Sequence, residues 1–378
     1  MKSVFKMKML SAVVAAGLMM GAGAASAQVV GGGATLPEVL YNDLFTSFED
    51  YIGVGSGAGK RAFFNNNPAE FGLPTGTTVD YAGSDSLVSS TEANNYATNN
   101  EAAFGPLIQI PSVLTSVTVP YNVSGVTNLN LTSEQLAGIF SGRITNWSDV
   151  GGPNQPITVV YRPDGSGTTE IFARHLNNRS ASDFPSVSNV FWTALGLPNQ
   201  AALPSNFVAG DSLGTTGSAG IVEVVDATPY SIGYVSPDFV NESSNAEVAR
   251  VNGVLPTPAN VQTAVGTLAP PSPANRANPL AWGISIANPA SGYSIVASTN
   301  LILSQCYVST QDTSDIRDML ATLYGTAGTW DAAIGTHGFV PLPANWKTAV
   351  RQTFVDQSNS LELAVGHPTE CANRGRPQ

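Results

Sequence analysis

Arg162, Asp164, Ser166, Gly167 and Thr168 stand close together in the run VVYRPDGSGTTEIFARHL (159–176). A β-rich start, a Gly- and Ser-containing turn and an amphipathic end predict a strand feeding the N-terminus of a helix. Such an N-terminus exposes unpaired N–H groups and partial positive charge, which suits a tetrahedral oxyanion. The hydroxyls of Ser166 and Thr168 and the N–H groups of Gly167 and Thr168 could converge there. Arg162 could add a charge-assisted contact, with Asp164 holding its guanidinium in place. The same residues would equally serve as an ordinary N-cap beside a surface Arg.

Three earlier segments offer partners. In GGGATLPEVLYNDLF (31–45), Thr35 could give a hydroxyl and Leu36 an N–H ahead of a helical pattern in which Pro37 suits the first turn, or Thr35 could simply cap that helix. GVGSGAG (53–59) offers Ser56 in a flexible turn, able to close over a ligand or to be only a loop. YAGSDS (81–86) carries Asp85 at a strand end. A carboxylate beside an anion makes sense if the anion brings a proton, because ionised Asp85 can only accept hydrogen bonds. Monohydrogen phosphate has that proton and sulfate does not, so Asp85 is a candidate selectivity residue; alone, it would read as an exposed turn Asp.

Other motifs fit poorly. The Gly-rich turn at 53–59 misses the phosphate-loop pattern, since Val54 stands where Gly is needed and Arg61 follows Lys60, and no convincing buried strand precedes it for dinucleotide binding. Gly210-Asp211-Ser212-Leu213-Gly214 satisfies the G-x-S-x-G pattern and raises the alternative of an exported hydrolase, phosphatase or serine esterase, using Ser212. That elbow needs a strand before and a helix after, and the flanking sequence is weakly strand-like and turn-like. The three His are scattered and no C-x-x-C occurs, so neither a metal site nor a cofactor is expected.

The elements that must position these residues alternate short apolar runs with Gly/Pro/Asn/Ser clusters and a few helix-like stretches, an α/β pattern. Residues 108–120 read as extended chain passing from one unit to another. Residues 254–279, rich in Pro and Ala, read as a surface excursion, 282–288 as strand-like and 314–324 as a helix. Lys2, Lys6 and Lys8 before an apolar run, then Ala25-Ser26-Ala27, have the order of a secretory signal over residues 1–27. No Cys follows at 28, so no lipid anchor is expected there. Cys306 and Cys371, the only cysteines, would pair in an oxidising compartment. A net charge of −11 argues against nucleic-acid or anionic-membrane partners, so any bound anion must be held locally.

Together, GGGATLPEVLY, GVGSGAGK, YAGSDS, VVYRPDGSGTTEIF and GSAGIVEVVDATPYSIGYVSPDF resemble the phosphate-binding proteins of bacterial phosphate ABC transporters. SGRITNWSDV, TNLILSQCY, FVPLPANWKTAVR and the terminal NRGRPQ are similar to the longer DING branch, although Gln28-Val29-Val30-Gly31 stands where that branch reads D-I-N-G. The resemblance implies a two-lobed α/β fold of the periplasmic-binding-protein, Venus flytrap kind with two interlobe crossovers. Lobe 1 would comprise residues 28–113 and 281–378, and lobe 2 residues 114–280. It further implies phosphate contacts from Thr35, Leu36, Ser56, Asp85, Arg162, Ser166, Gly167 and Thr168, with Asp164 behind Arg162. The expectation is a monomeric, periplasmic or secreted protein that is not an enzyme, binds inorganic phosphate and serves a possible ABC-transporter permease. An extracellular adhesion or scaffold protein with a residual phosphate site is the remaining alternative.

Overall fold

A computed structural model of the chain describes residues 28–266, 268–358 and 360–377; the leader expected over residues 1–27 lies outside them. Twelve strands occur among the described residues: β1 (Gly31–Gly33), β2 (Ile52–Gly53), β3 (Tyr81–Ser84), β4 (Leu107–Ser116), β5 (Tyr121–Asn122), β6 (Asn130–Leu131), β7 (Thr158–Tyr161), β8 (Phe207–Ala209), β9 (Ser231–Ile232), β10 (Arg250–Val251), β11 (Val296–Ser304) and β12 (Val340–Pro341). They form a six-stranded sheet in the order β12-β4-β11-β3-β1-β2, a four-stranded sheet in the order β5-β9-β7-β8, and the pair β10-β6. The first sheet is mixed: β2, β1 and β3 run parallel, while β11 is antiparallel to both β3 and β4. In the second sheet β7 is parallel to both β8 and β9. This is the two-lobed α/β architecture, one sheet to a lobe.

β4 and β11 are buried along their whole length, as strands covered on both faces must be. Their polar side chains are therefore satisfied internally. Gln109 accepts from the Val88 N–H at 2.6 Å and donates to the Pro279 carbonyl at 3.0 Å, and Ser112 shares a 2.6 Å hydrogen bond with the Tyr41 hydroxyl.

Beyond β4 the chain crosses to the second sheet, where Thr118 and Val235 exchange backbone hydrogen bonds at 2.8 and 3.0 Å. It comes back beside this crossing, since the Ser116 hydroxyl donates to the Pro256 carbonyl at 3.3 Å. The surface excursion that the sequence predicts over residues 254–279 holds for the described residues from 266 to 279, none of which is buried, but not for the stretch before them. Thr257 caps a helix, Pro258–Val265, whose buried Val261 and Val265 pack it on β4, β11 and β12. The chain thus rejoins the first sheet well before residue 281. Residues 282–288 form no strand, whereas the helix expected at 314–324 spans Thr310–Leu323.

The C-terminus is pinned to the first sheet. Cys306, just after β11, is disulfide-bonded to Cys371. Arg376 is fully buried and lies over the Phe63 ring at 3.7 Å, donating to the Ser304 hydroxyl and to the Val79 and Phe63 carbonyls at 2.6–2.8 Å. No helix among the described residues is long and apolar enough to cross a membrane.

Candidate functional site

The site forms where the ends of short parallel strands meet the starts of helices, outside the carboxyl ends of the strands, where open α/β sheets place their ligands. After β1 comes Thr35, after β2 Ser56 and after β3 Asp85; from the other lobe, β7 is followed by Arg162 and the 162–168 turn. Three helices of useful length point their N-termini inward: Ser56–Asn65, Gly167–Arg179 and Gly217–Ala227. Their partial positive charges add locally, and that is how so acidic a chain can present an anion-binding surface.

Arg162 is 2 % exposed. Its Nε and Nη2 donate to the two Asp164 oxygens at 2.6 and 2.5 Å, its Nη1 donates to Thr35 Oγ1 at 3.0 Å, and its N–H donates to the Tyr234 hydroxyl at 3.1 Å. Burial alone would weaken its charge, but Asp164, with Tyr234 and Asp85 behind it, outweighs burial and holds the guanidinium protonated above its usual range. The sequence-based alternative of a surface Arg therefore fails: this cation reaches across to the first lobe.

Asp85 is 2 % exposed. Its N–H donates to Ser56 Oγ at 3.1 Å, its Oδ2 accepts from Thr168 Oγ1 at 3.4 Å, and its Oδ1 has no hydrogen-bond partner in the protein. Burial pushes its carboxyl up to about 7, partly offset by Thr299, Arg162 and Thr168, while Glu170 adds to the rise. It is thus no exposed turn residue but a buried acceptor with one free oxygen.

Ser56 does not sit in a flexible turn. It opens its helix after Gly55 at φ 88°, and Gly57 N–H donates across the lobes to the Gly165 carbonyl at 2.8 Å. At Gly167 the lobes touch closely: a Cβ there would lie 2.4 Å from Ser56 Oγ and 2.5 Å from Asp85 Cβ. Ser166 turns its hydroxyl back to accept from Thr169 N–H at 3.2 Å, capping its own helix. Leu36 buries its side chain in the core, and its carbonyl accepts from Ser236 Oγ at 2.7 Å. The structure thus joins Thr35 to Arg162 in one contact and Ser56, Asp85, Gly167 and Thr168 in another, both across the cleft between the lobes, with Asp164 on Arg162 and with Leu36 and Ser166 next to them in the chain.

Sequence reasoning missed Gly217 and Ser218. Thr35 Oγ1 lies 3.1 Å from Ser218 Oγ and accepts from Ser218 N–H at 3.2 Å, and a Cβ on Gly217 would meet Thr35 Cγ2 at 2.7 Å. Gly-Ser heading an apolar helical pattern was the available signal. By contrast, Ser212 lies on an exposed turn between β8 and the helix Gly217–Ala227. Two of the three His are engaged elsewhere: His175 pairs with Ser133 and His337 with Asp43 and Asp238. Among the described residues no three His, Cys, Asp or Glu are grouped to hold a metal.

The family model described as the PBP superfamily domain matches residues 21–291. Alkaline phosphatase L of Pseudomonas aeruginosa is 45 % identical over 99 % of this chain and all of its own length. A phosphate-binding protein from an unknown prokaryote is 41 % identical over 92 % of this chain and 99 % of its own. Among solved structures, the high-affinity periplasmic phosphate-binding protein PfluDING, bound with phosphate, is 40 % identical with a TM-score of 0.85, covering 93 % of this chain and 99 % of that one. A human phosphate-binding apolipoprotein shares 40 % identity with a TM-score of 0.83, over 93 % of this chain and all of its own.

Proposed function

The chain belongs to the PBP superfamily and, within it, to the DING phosphate-binding proteins, and on that premise we propose that it captures monohydrogen phosphate between its lobes without transforming it. The observation that carries this reading is the pairing of one buried cation with one buried carboxylate among converging helix N-termini. Arg162 and the N–H groups of residues 56, 167 and 168 supply positive charge and donors. The free Oδ1 of Asp85 supplies an acceptor for the one P–OH. A fully ionised tetrahedral anion would instead face that oxygen with a lone pair, at a cost of at least about 1–3 kcal/mol.

Thr35, Leu36, Ser56 and Asp85 act from the first lobe and Arg162, Ser166, Gly167 and Thr168 from the second, with Asp164 orienting Arg162. The lobes divide after β4 and rejoin near residue 256, so the first comprises residues 28–116 and 256–378. Because phosphate touches both lobes, it favours the closed arrangement by its difference in affinity for the two states. Export by the leader, residence in the periplasm or outside the cell, action as a monomer and delivery to an ABC-transporter permease complete the proposal.

A second reading is favoured by the name of one relative, alkaline phosphatase L: hydrolysis of phosphate monoesters. Enclosure argues against it, since Thr35, Ser56, Asp85, Ser166 and Thr168 are each at most 4 % exposed and leave no path for an alcohol group in the closed form. The deciding measurement is calorimetric titration of phosphate-stripped protein with phosphate, repeated in excess sulfate, alongside a p-nitrophenyl phosphate turnover assay. One-site binding that sulfate does not suppress, with no turnover, supports capture. Turnover lost in Arg162→Ala would support the phosphatase, and absence of both would leave the scaffold alternative.

A further inference from the structure

The three parallel strands that carry Thr35, Ser56 and Asp85 at one end border a second cavity at the other. It has a volume of about 560 Å³ and is lined by Val30 before β1, Ile52 at the start of β2 and Asp80 before β3, together with Leu73, Glu49 and Asp312. That is ample for a small molecule. Its walls are apolar at Val30, Ile52 and Leu73, acidic at Glu49, Asp50, Asp80 and Asp312, and neutral at Gln28 and along residues 76–78.

Two of its carboxyl groups are buried and incompletely satisfied. Asp80 is 4 % exposed, and its Oδ2 accepts from the Val30 N–H at 2.8 Å while its Oδ1 has no partner. Asp312 is 3 % exposed, in the first turn of the helix Thr310–Leu323, and its Oδ1 also has no partner. Burial pushes the Asp80 carboxyl up to about 7, and Asp312 adds to the rise. The nearby cation Arg376 eases this through space, but its donors are committed to Ser304, Val79 and Phe63. A buried acceptor without a donor costs about 1–3 kcal/mol, and both of these oxygens belong to side chains of residues that line one cavity, although neither atom is itself exposed to it.

We propose that this cavity binds a small amphipathic primary ammonium, whose N–H groups meet Asp80 and Asp312 while a short hydrocarbon stem lies against Val30, Ile52 and Leu73. An anion is excluded by the surrounding carboxylates. A bare metal ion would waste the apolar wall, and no three potential metal ligands are grouped among the described residues. The site is independent of the phosphate reading, since it shares no residue with that cluster.

The test titrates the protein, at pH 8 and with phosphate saturating, with n-hexylammonium and separately with 1-hexanol, following amide shifts by NMR. Expected is saturable one-site binding of the ammonium, at least tenfold tighter than the alcohol, with shifts centred on Val30, Ile52 and Asp312. Asp312→Asn should weaken the ammonium at least tenfold and leave alcohol and phosphate binding unchanged. Asp80→Asn risks folding through the lost Val30 contact, so Leu73→Asn serves as the second variant and should weaken both probes. Equal affinity for ammonium and alcohol, no saturable binding, or an unchanged ammonium affinity in Asp312→Asn would each overturn the proposal.

Discussion

Arg162 carries the attraction at the anion site and Asp85 carries the selection. Removing the guanidinium in Arg162→Ala takes away charge-assisted hydrogen bonds worth about 1.5–3 kcal/mol each and leaves Asp164 unpaired. Phosphate affinity by calorimetry should fall by at least about a hundredfold; an unchanged affinity would remove Arg162 from the site. Asp85→Asn replaces an acceptor by a group that can also donate, so the ratio of phosphate to sulfate affinity should shrink. Asp85 also links stability to pH. Its carboxyl, pushed to about 7, keeps a proton that the unfolded chain releases near its ordinary value of 3.8. Where the folded state holds more protons, stability falls as pH rises. Thermal scans of phosphate-free protein should therefore show decreasing stability between about pH 4 and pH 7, with Asp80 contributing in the same sense. The slope should flatten in Asp85→Asn.

At the level of elements, the close approach of two helix starts makes Gly167 a steric gate. Gly167→Ala keeps an ordinary helical residue in its own lobe but places a methyl about 2.4 Å from Ser56 Oγ across the cleft. The expected result is a protein with unchanged thermal stability when phosphate-free and an affinity reduced by at least tenfold; affinity equal to wild type would show that the helices can part at no cost. The strand and helix of 159–176 were legible because apolar alternation ends at a Ser that caps a helix, a signal carried entirely by local residues. Other elements were not. Three glycines have no strand propensity, yet Gly31–Gly33 is a strand because the neighbours leave no room for side chains: a Cβ at Gly31 would fall 2.1 Å from the Tyr81 ring and one at Gly33 2.3 Å from the Gly83 carbonyl. Ser56–Asn65 is helical for a related reason, since Gly59 packs its backbone against Gly33. Pro258–Val265 was hidden by its Pro- and Ala-rich setting although Thr257 and Pro258 mark a helix start and Val261 and Val265 share a face. The segments that meet at the candidate site were legible motif by motif; the lobe-to-lobe contacts, Thr35 to Ser218 above all, depend on packing that no local pattern encodes.

The molecule as a whole is held closed by contacts spread along the cleft. Besides Arg162 to Thr35 and Gly57 to Gly165, His337 of the first lobe lies 2.7 Å from Asp238 of the second, with Asp43 on its other side at 3.3 Å. The 65-residue span closed by Cys306 and Cys371 lies far from that cleft in function and constrains only the first lobe. Replacing both cysteines by Ser should cost about 2–4 kcal/mol in denaturant unfolding while leaving phosphate affinity intact. Lost affinity at preserved stability would mean the bridge shapes the site itself. The buried Arg376 has a further, practical implication. Its guanidinium fills a socket between Phe63, Val79 and Ser304 only two residues from the end of the chain. Cutting the chain before Arg376 would empty that socket and take a donor from the Ser304 hydroxyl and the Val79 and Phe63 carbonyls, so such a truncation should register as lost stability rather than as the removal of a loose tail.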